Sequence, residues 1–402
     1  MKNRAERLTL WMIAAVMTVV CLTACGGDEK NVKEDEKENG SVSDSSVLLN
    51  ETPAKEFDYG YDGENHGVTI NKYTGNRTEV YIPGEIDGSP VTAIGENAFS
   101  NCRALTSVVI SDGVTSIGDY AFSDCRNLAS IIIPEGVKSI GDYAFATCTN
   151  LASVVIPDSV TEIGERAFSH CKSLVSFVIP ENVREIGSYA FANCKNLQNI
   201  EIREGITAIG EKAFAACTSL DNVVIPNGVT AIGDYAFSGC RALASVILPN
   251  GVTEVGFEAF SDCKSLTEIV LPNSVTEIGG YAFSDCKSLV SVEMPQSLTK
   301  LGEMAFQNCK ALASVVIPAG VKSIDSGIFA DCSALMSVKI HENVKEISNS
   351  AFFNCKELSE VEIPEGVEEI GNYAFFNCDK LSNEIKQKVQ EINSAAVGGI
   401  IY

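Results

Sequence analysis

Thirteen cysteines stand 23 residues apart from Cys102 to Cys378, and a phenylalanine precedes each by three residues, from Phe99 to Phe375. Thiols in such number could pair as disulfides, hold a metal or act as nucleophiles. Thirteen is odd, no Cys-x-x-Cys occurs, and all thirteen share one place in a repeat. Copies at one repeat position point the same way, which is poor disulfide geometry even where Cα atoms come within range. The expectation is a ladder of buried free thiols packing as small apolar groups. The three histidines, His66, His170 and His341, form no metal-binding pair and neighbour no nucleophile motif. Glu162, Glu185, Glu254, Glu277, Glu346 and Glu369 recur at one repeat position and read as a solvated acidic edge. The Asp-rich nonapeptide of a calcium-binding coil is absent, as are a P-loop and Gly-x-Ser-x-Gly. The residues point away from an enzyme and call for no cofactor and no metal.

These side chains need a scaffold with the same period. A strict repeat of this length marks a solenoid, in which each repeat is one turn of a coil. Twelve complete repeats span residues 105–380. With Leu105 as position 1, apolar residues recur at positions 1, 4, 6, 10, 13, 17, 18 and 21. A side chain that meets its own copy on the next turn cannot vary much, so these positions face inward. Positions 3 to 6 alternate and are β-branched, as in a short strand. Proline at position 7, as in Pro134 and Pro157, ends that strand, and turn residues follow it. Gly at position 14 precedes Tyr-Ala-Phe, expected to form one or two helical turns on the outer, convex side. The fold class expected is therefore an α/β solenoid of 12–13 rungs. No rung can bury its own apolar face, so stability must come from interfaces between rungs.

The repeat Leu-x-Ser-Val-x-Ile-Pro-x-Gly-Val-Thr-x-Ile-Gly-x-Tyr-Ala-Phe-x-x-Cys resembles the BspA-type leucine-rich repeat of bacterial surface proteins. The resemblance covers about residues 67–380, including Val68–Gly75 and Val80–Gly95, which are similar to the family's first unit. It implies a leucine-rich repeat coil with its parallel β-sheet on the concave face, displayed outside the cell. Members studied as adhesins bind host proteins or other bacteria.

Residues 1–24 read as a lipoprotein signal peptide. Lys2, Arg4 and Arg7 precede an apolar stretch from Leu8 to Leu22 that is too short for an ordinary membrane span. Leu22-Thr23-Ala24-Cys25 resembles the bacterial lipobox, which implies a diacylglycerol thioether at Cys25 and cleavage before it. An ordinary cleaved secretory signal is the alternative. Residues 25–55 are polar and charged and form a lipidated tether. Residues 56–104 make an N-terminal cap and first partial repeat, with Val68–Tyr73 and Thr78–Ile82 expected as a hairpin about Thr74–Arg77. Residues 381–402 make a C-terminal capping helix and tail, with Leu381, Ile385, Val389 and Ile392 at helical spacing and Ser382 or Asn383 as N-cap.

The net charge is −23. Residues 1–24 carry Lys2, Arg4 and Arg7 against Glu6, so removing them leaves the chain near −25. Such acidity repels nucleic acid and anionic membranes, leaving the lipid anchor as the sole link to a membrane.

Positions 3 and 5 face out of the sheet. Position 3 is Ser in eight of twelve repeats, and position 5 is Val or Ile in eight of twelve. A solvent-facing row of β-branched apolar residues marks an interaction surface. The alternative is that Val and Ile merely suit a strand and shield one another along the ladder. The candidate concave binding strip comprises Ser176, Val178, Asn199, Glu201, Asn222, Val224, Ser245, Ile247, Glu268, Val270 and Glu293. Lys339, Glu360 and Glu362 mark later rungs. The leading functional expectation is binding of host or bacterial surface proteins in adhesion. Self-association as a structural surface protein, and an accessory role in extracellular glycan processing, are the alternatives. Asp325 and Ser348 replace the position-14 Gly in two rungs, a stretch that could bend differently.

Overall fold

The computed structural model describes residues 51–63 and 67–398. Cys25, the leader, residues 26–50 of the tether and His66 lie outside them. The chain winds as a parallel-strand solenoid of about 13 turns, each close to 23 residues, with little helix. Three hydrogen-bonded ladders join neighbouring rungs along most of the coil.

The first ladder is the strand sheet at positions 3 to 6. Glu79–Tyr81, Ser107–Val109 and Ser130–Ile132 form one short sheet, and nine strands from Ser176–Ile179 to Glu360–Glu362 form a longer one. The register advances by one repeat per strand, so Val224 faces Ile247 and Ile247 faces Val270. Two-residue strands at positions 12 and 13, such as Ser116–Ile117 and Ser139–Ile140, make the second ladder.

The third ladder replaces the expected helical turns. The Tyr-Ala-Phe segment is a chain of tight turns. Ala121, Ser123 and Cys125 each donate to the carbonyl three residues back, while Tyr120, Phe122 and Asp124 donate across to Asp142, Ala144 and Ala146 of the next rung. Alternate N–H groups thus close turns and join rungs. A helix is ruled out because positions 16 and 20 are left-handed, with φ 55° at Tyr120 and 59° at Asp124. Position 20 is mostly Asn, Asp or Gly, the residues that tolerate this conformation best.

Inside the ladders, side chains stack on their copies. The Phe rings from Phe99 to Phe375 are 4.9–5.8 Å apart and within 19° of parallel. The thiol of Cys125 donates to the Phe99 carbonyl at 3.0 Å, and the same bond recurs on every rung to Cys378. All thirteen thiols are free, and Cys102, whose preceding rung is shortened, is the one half-buried. Burial pushes the thiols of Cys125, Cys171 and Cys217 up to about 12. A thiol kept protonated inside a packed row is neither a nucleophile nor a metal ligand. Beside the turn ladder a second, half-exposed stack runs at position 16. Tyr120 stacks on Tyr143 at 4.6 Å, Arg166 sits over Tyr143 and Tyr189, and Lys212 sits over Tyr189 and Tyr235. The cations continue the stack because ring faces attract positive charge.

The ladders break where side chains depart from the repeat. At position 14 a Cβ on Gly141 would fall 2.7 Å from the backbone of the preceding rung. Asp325 carries such a Cβ, and the second ladder stops at Lys300–Leu301 and resumes at Ser323–Ile324. The widest Phe spacing, 5.8 Å, lies at the same junction. Ser348 tolerates its place, since Ser323–Ile324 still pairs with Glu346–Ile347. In the strand sheet, the rung at Val155 keeps only an isolated bridge to Ile132. The next rung carries Phe177, wedged edge-on between Phe168 and Phe191 at 4.9 and 4.6 Å. A phenyl ring where other rungs hold Val or Ile spreads the local packing and interrupts pairing.

The ends are closed differently from the body. Val68–Tyr73 does not pair with the segment after Arg77. It pairs antiparallel with Phe57–Tyr61 and parallel with Ser89–Ile94, while Glu79–Tyr81 joins the strand sheet. The expected hairpin is thus corrected: the path about Thr74–Arg77 is a shortened rung, because each of its strands gains a parallel partner on the next turn. Arg77 forms a two-pronged bond to Glu56 that ties this path to the helical turn just before the first strand. A true hairpin lies at Asp87-Gly88, both with positive φ, between Glu85–Ile86 and Ser89–Ile94. At the other end the helix Asn383–Ile392 is capped by Ser382, whose hydroxyl accepts from the Ile385 N–H, and it buries Val389. The carbonyls of Ala395 and Ala396 accept from Tyr373 and Phe375, which ends the turn ladder.

Candidate protein-binding face

Alternation along each strand sets the geometry of the candidate face. Val223, Val246 and Ile269 point into the coil and are buried, so their neighbours Val224, Ile247 and Val270 point out. Val224 is 71% exposed, Ile247 69% and Val270 47%. Shielding by copies on adjacent rungs therefore does not hide this row. Val178 and Val316 extend it, and Val155 precedes it. Ser176, Asn199, Asn222, Ser245 and Glu268 form a second exposed row in continuous register. Glu201 and Glu293 are exposed at the valine position of their rungs. The sheet thus brings the residues of the strip together on one side of consecutive strands. A recess of about 210 Å³ opens there, between Asn222–Asn227 and Ser245–Pro249.

Sequence reasoning missed Val175, Val290 and Met336, which stand at position 2, one residue before the strand, and are 42–51% exposed. The signal was present. Position 2 varies among Thr, Ala, Val, Gln, Asp, Met and Ser, which a core position could not do.

The face is poor in internal ion pairs. Glu201 accepts from Arg203 at 3.3 Å, and Arg203 also pairs with Asp158. The position-12 glutamates lie on the second ladder, away from the strand face, where Glu277 pairs with Lys300. Among the described residues no group of three His, Cys, Asp or Glu side chains could hold a metal ion. His170 sits at left-handed position 20, and burial, with Lys172 and Lys195 nearby, holds its pKa below the usual value. His341 Nδ1 accepts from the Asn343 N–H and so closes a turn. A larger recess of about 840 Å³, near Lys322, Asn343 and Glu365, is open and of mixed charge and lies at the turns following the strands.

The profile of the BspA type leucine rich repeat region matches residues 73–197, 138–267, 184–313 and 253–382. The chain belongs to the BspA-type leucine-rich repeat family. A leucine-rich repeat protein from Bacteroides ovatus is similar, with 32% identity over 81% of this chain and 86% of that one and a TM-score of 0.75. A leucine rich cell surface protein from Faecalibacterium prausnitzii is 34% identical over 77% of this chain and 94% of that one, with a TM-score of 0.54. No curated protein matches the sequence. BspA-type proteins are bacterial surface proteins, and leucine-rich repeats serve in protein–protein interaction. Among the described residues no helix is long and apolar enough to cross a membrane.

Proposed function

We propose that this BspA-type chain is a lipid-anchored, extracytoplasmic protein that binds host or bacterial surface proteins through the outer face of its strand sheet, in adhesion. The supporting observation is the exposed row Val224, Ile247 and Val270, in register on three consecutive strands. Fully burying one such side chain against a partner is worth about 1.5–3 kcal/mol. The lipobox-like Leu22-Thr23-Ala24-Cys25 supports the anchor, and the polar residues after it supply reach from the membrane.

The test of binding presents the chain from residue 26 onward to extracellular-matrix, plasma and bacterial surface proteins, beside a Val224→Lys/Ile247→Lys/Val270→Lys variant. Saturable binding that the folded variant loses is the expected result. Binding that survives in the variant moves the site off this face. A chain that binds nothing but itself, with a concentration-dependent mass in light scattering, points to self-association instead. For the anchor, an alkyne-tagged fatty acid should label the full chain and not Cys25→Ser; equal labelling of both removes Cys25 as the lipid site.

A further inference from the structure

The outward strand positions divide by charge. In the rungs from Leu105 to Lys172, positions 2, 3 and 5 hold no charged residue. From Gln198 onward the same positions carry Glu201, Asp221, Glu268, Glu293, Glu360 and Glu362 against the single base Lys339. Six acids against one base give this stretch of the face the negative sign of the whole chain, which has 53 acidic and 30 basic residues. Apart from Glu201, none of these acids has an ion-pair partner among the described residues. They stand among the exposed Val224, Ile247, Val270, Val316 and Met336.

A partner that buries Val224 and Ile247 must also cover the neighbouring carboxylates. A neutral partner strips water from them without replacing it, and an acidic one adds repulsion. A second copy of this chain would bring the same acid-rich stretch. Lysine or arginine on the partner pairs the carboxylates in charge-assisted hydrogen bonds while its aliphatic groups cover the valines. We propose that the partner engages this stretch through a basic segment in which Lys or Arg is interleaved with aliphatic residues. The proposal rests on the protein-binding reading of the face and adds the partner's chemistry. From the rung of Val224 to that of Glu362 the face runs about 29 Å at strand spacing, which a helix of about 20 residues would span.

The experiment uses three amphipathic peptides of about 20 residues with identical Leu and Val positions. Their polar positions are all Lys, all Gln or all Glu. Each is titrated by fluorescence anisotropy against the chain from residue 26 onward, at about 50 and about 300 mM salt. Two variants of equal net charge accompany it: Glu268→Gln/Glu293→Gln/Glu360→Gln/Glu362→Gln on the face, and Glu162→Gln/Glu185→Gln/Glu254→Gln/Glu369→Gln on the second ladder. The proposal expects saturable binding of the Lys peptide alone. It expects about tenfold weakening in the face variant and at most about twofold in the other. Equal weakening in both variants would mean diffuse attraction to an acidic protein and would overturn the proposal. A Gln peptide that binds as tightly, without salt dependence, would also overturn it while leaving the protein-binding reading intact. Binding of no peptide would overturn it too, and the reading would then rest on the Val224→Lys/Ile247→Lys/Val270→Lys comparison.

Discussion

The Phe row at position 18 and the Val/Ile row at position 5 repeat with the same period, and water meets them in opposite ways. Phe237 and Phe260 are fully buried, whereas Val224 and Ile247 are largely exposed. Both rows stack on their own copies, so stacking alone does not exclude water. What differs is what closes over the row. The Phe rings lie inside the coil, enclosed by the strand sheet on one side and the turn ladder on the other. Among the described residues, the position-5 side chains have neighbours along the row and none above it. A repeat therefore builds two apolar surfaces at once, a core and an unpartnered face, and these should respond differently to the same kind of change.

The largest expected effect is on the core. Burial raises the folded pKa of the ladder thiols, to about 12 at Cys125, Cys171, Cys217, Cys332 and Cys378. An unfolded thiol titrates near 8.5. A raised folded pKa means that this stabilisation is whole below about pH 8.5 and falls as pH rises towards about 12. Each thiol adds to this loss, and twelve ladder thiols are buried. Circular dichroism should show cooperative alkaline unfolding between about pH 9 and 12. A urea midpoint that stays constant to about pH 11 would show that the thiols are not held protonated by the fold.

Next in size is Phe237→Ala, which leaves a ring-sized gap in the stack. A loss of about 3–5 kcal/mol in urea unfolding is expected, and a loss below about 1 kcal/mol would mean that the row closes up locally. Arg166→Ala removes a cation from between Tyr143 and Tyr189 on a half-exposed stack. It should cost about 1 kcal/mol, and Arg166→Lys should recover part of this; no change would make the stack incidental. Phe177→Val is read by amide exchange rather than by stability, since the gap left by this buried ring opposes any regained pairing. Amide exchange at residues 153–156 should slow as strand pairing is restored, and unchanged exchange would clear Phe177 of breaking the sheet.

The same comparison explains what could be read in the sequence. Inward positions were legible because a side chain that meets its copy cannot vary, and the strand was legible from alternation. The turn side was not. Tyr at position 16 hides a left-handed backbone, since Tyr120, Tyr143 and Tyr189 adopt φ near 55° only because the next rung receives their N–H groups. The Asn, Asp and Gly at position 20 carried that signal, but the helical reading of Tyr-Ala-Phe competed with it. The first rung was misread as a hairpin because Thr74-Gly75-Asn76-Arg77 has turn chemistry, and local turn signals do not reveal a parallel partner many residues away. On the candidate face, the exposed valines at position 5 were legible from period two, whereas Val175, Val290 and Met336 precede the strand and escape that pattern.

The most direct test of the account measures stability and binding together in Val224→Lys/Ile247→Lys/Val270→Lys. An unpartnered face predicts a urea midpoint equivalent to within about 1.5 kcal/mol of the parent for the three substitutions together and loss of protein binding. Destabilisation by several kcal/mol, or binding as tight as the parent's, would show that the position-5 row belongs to the core or lies outside the binding face.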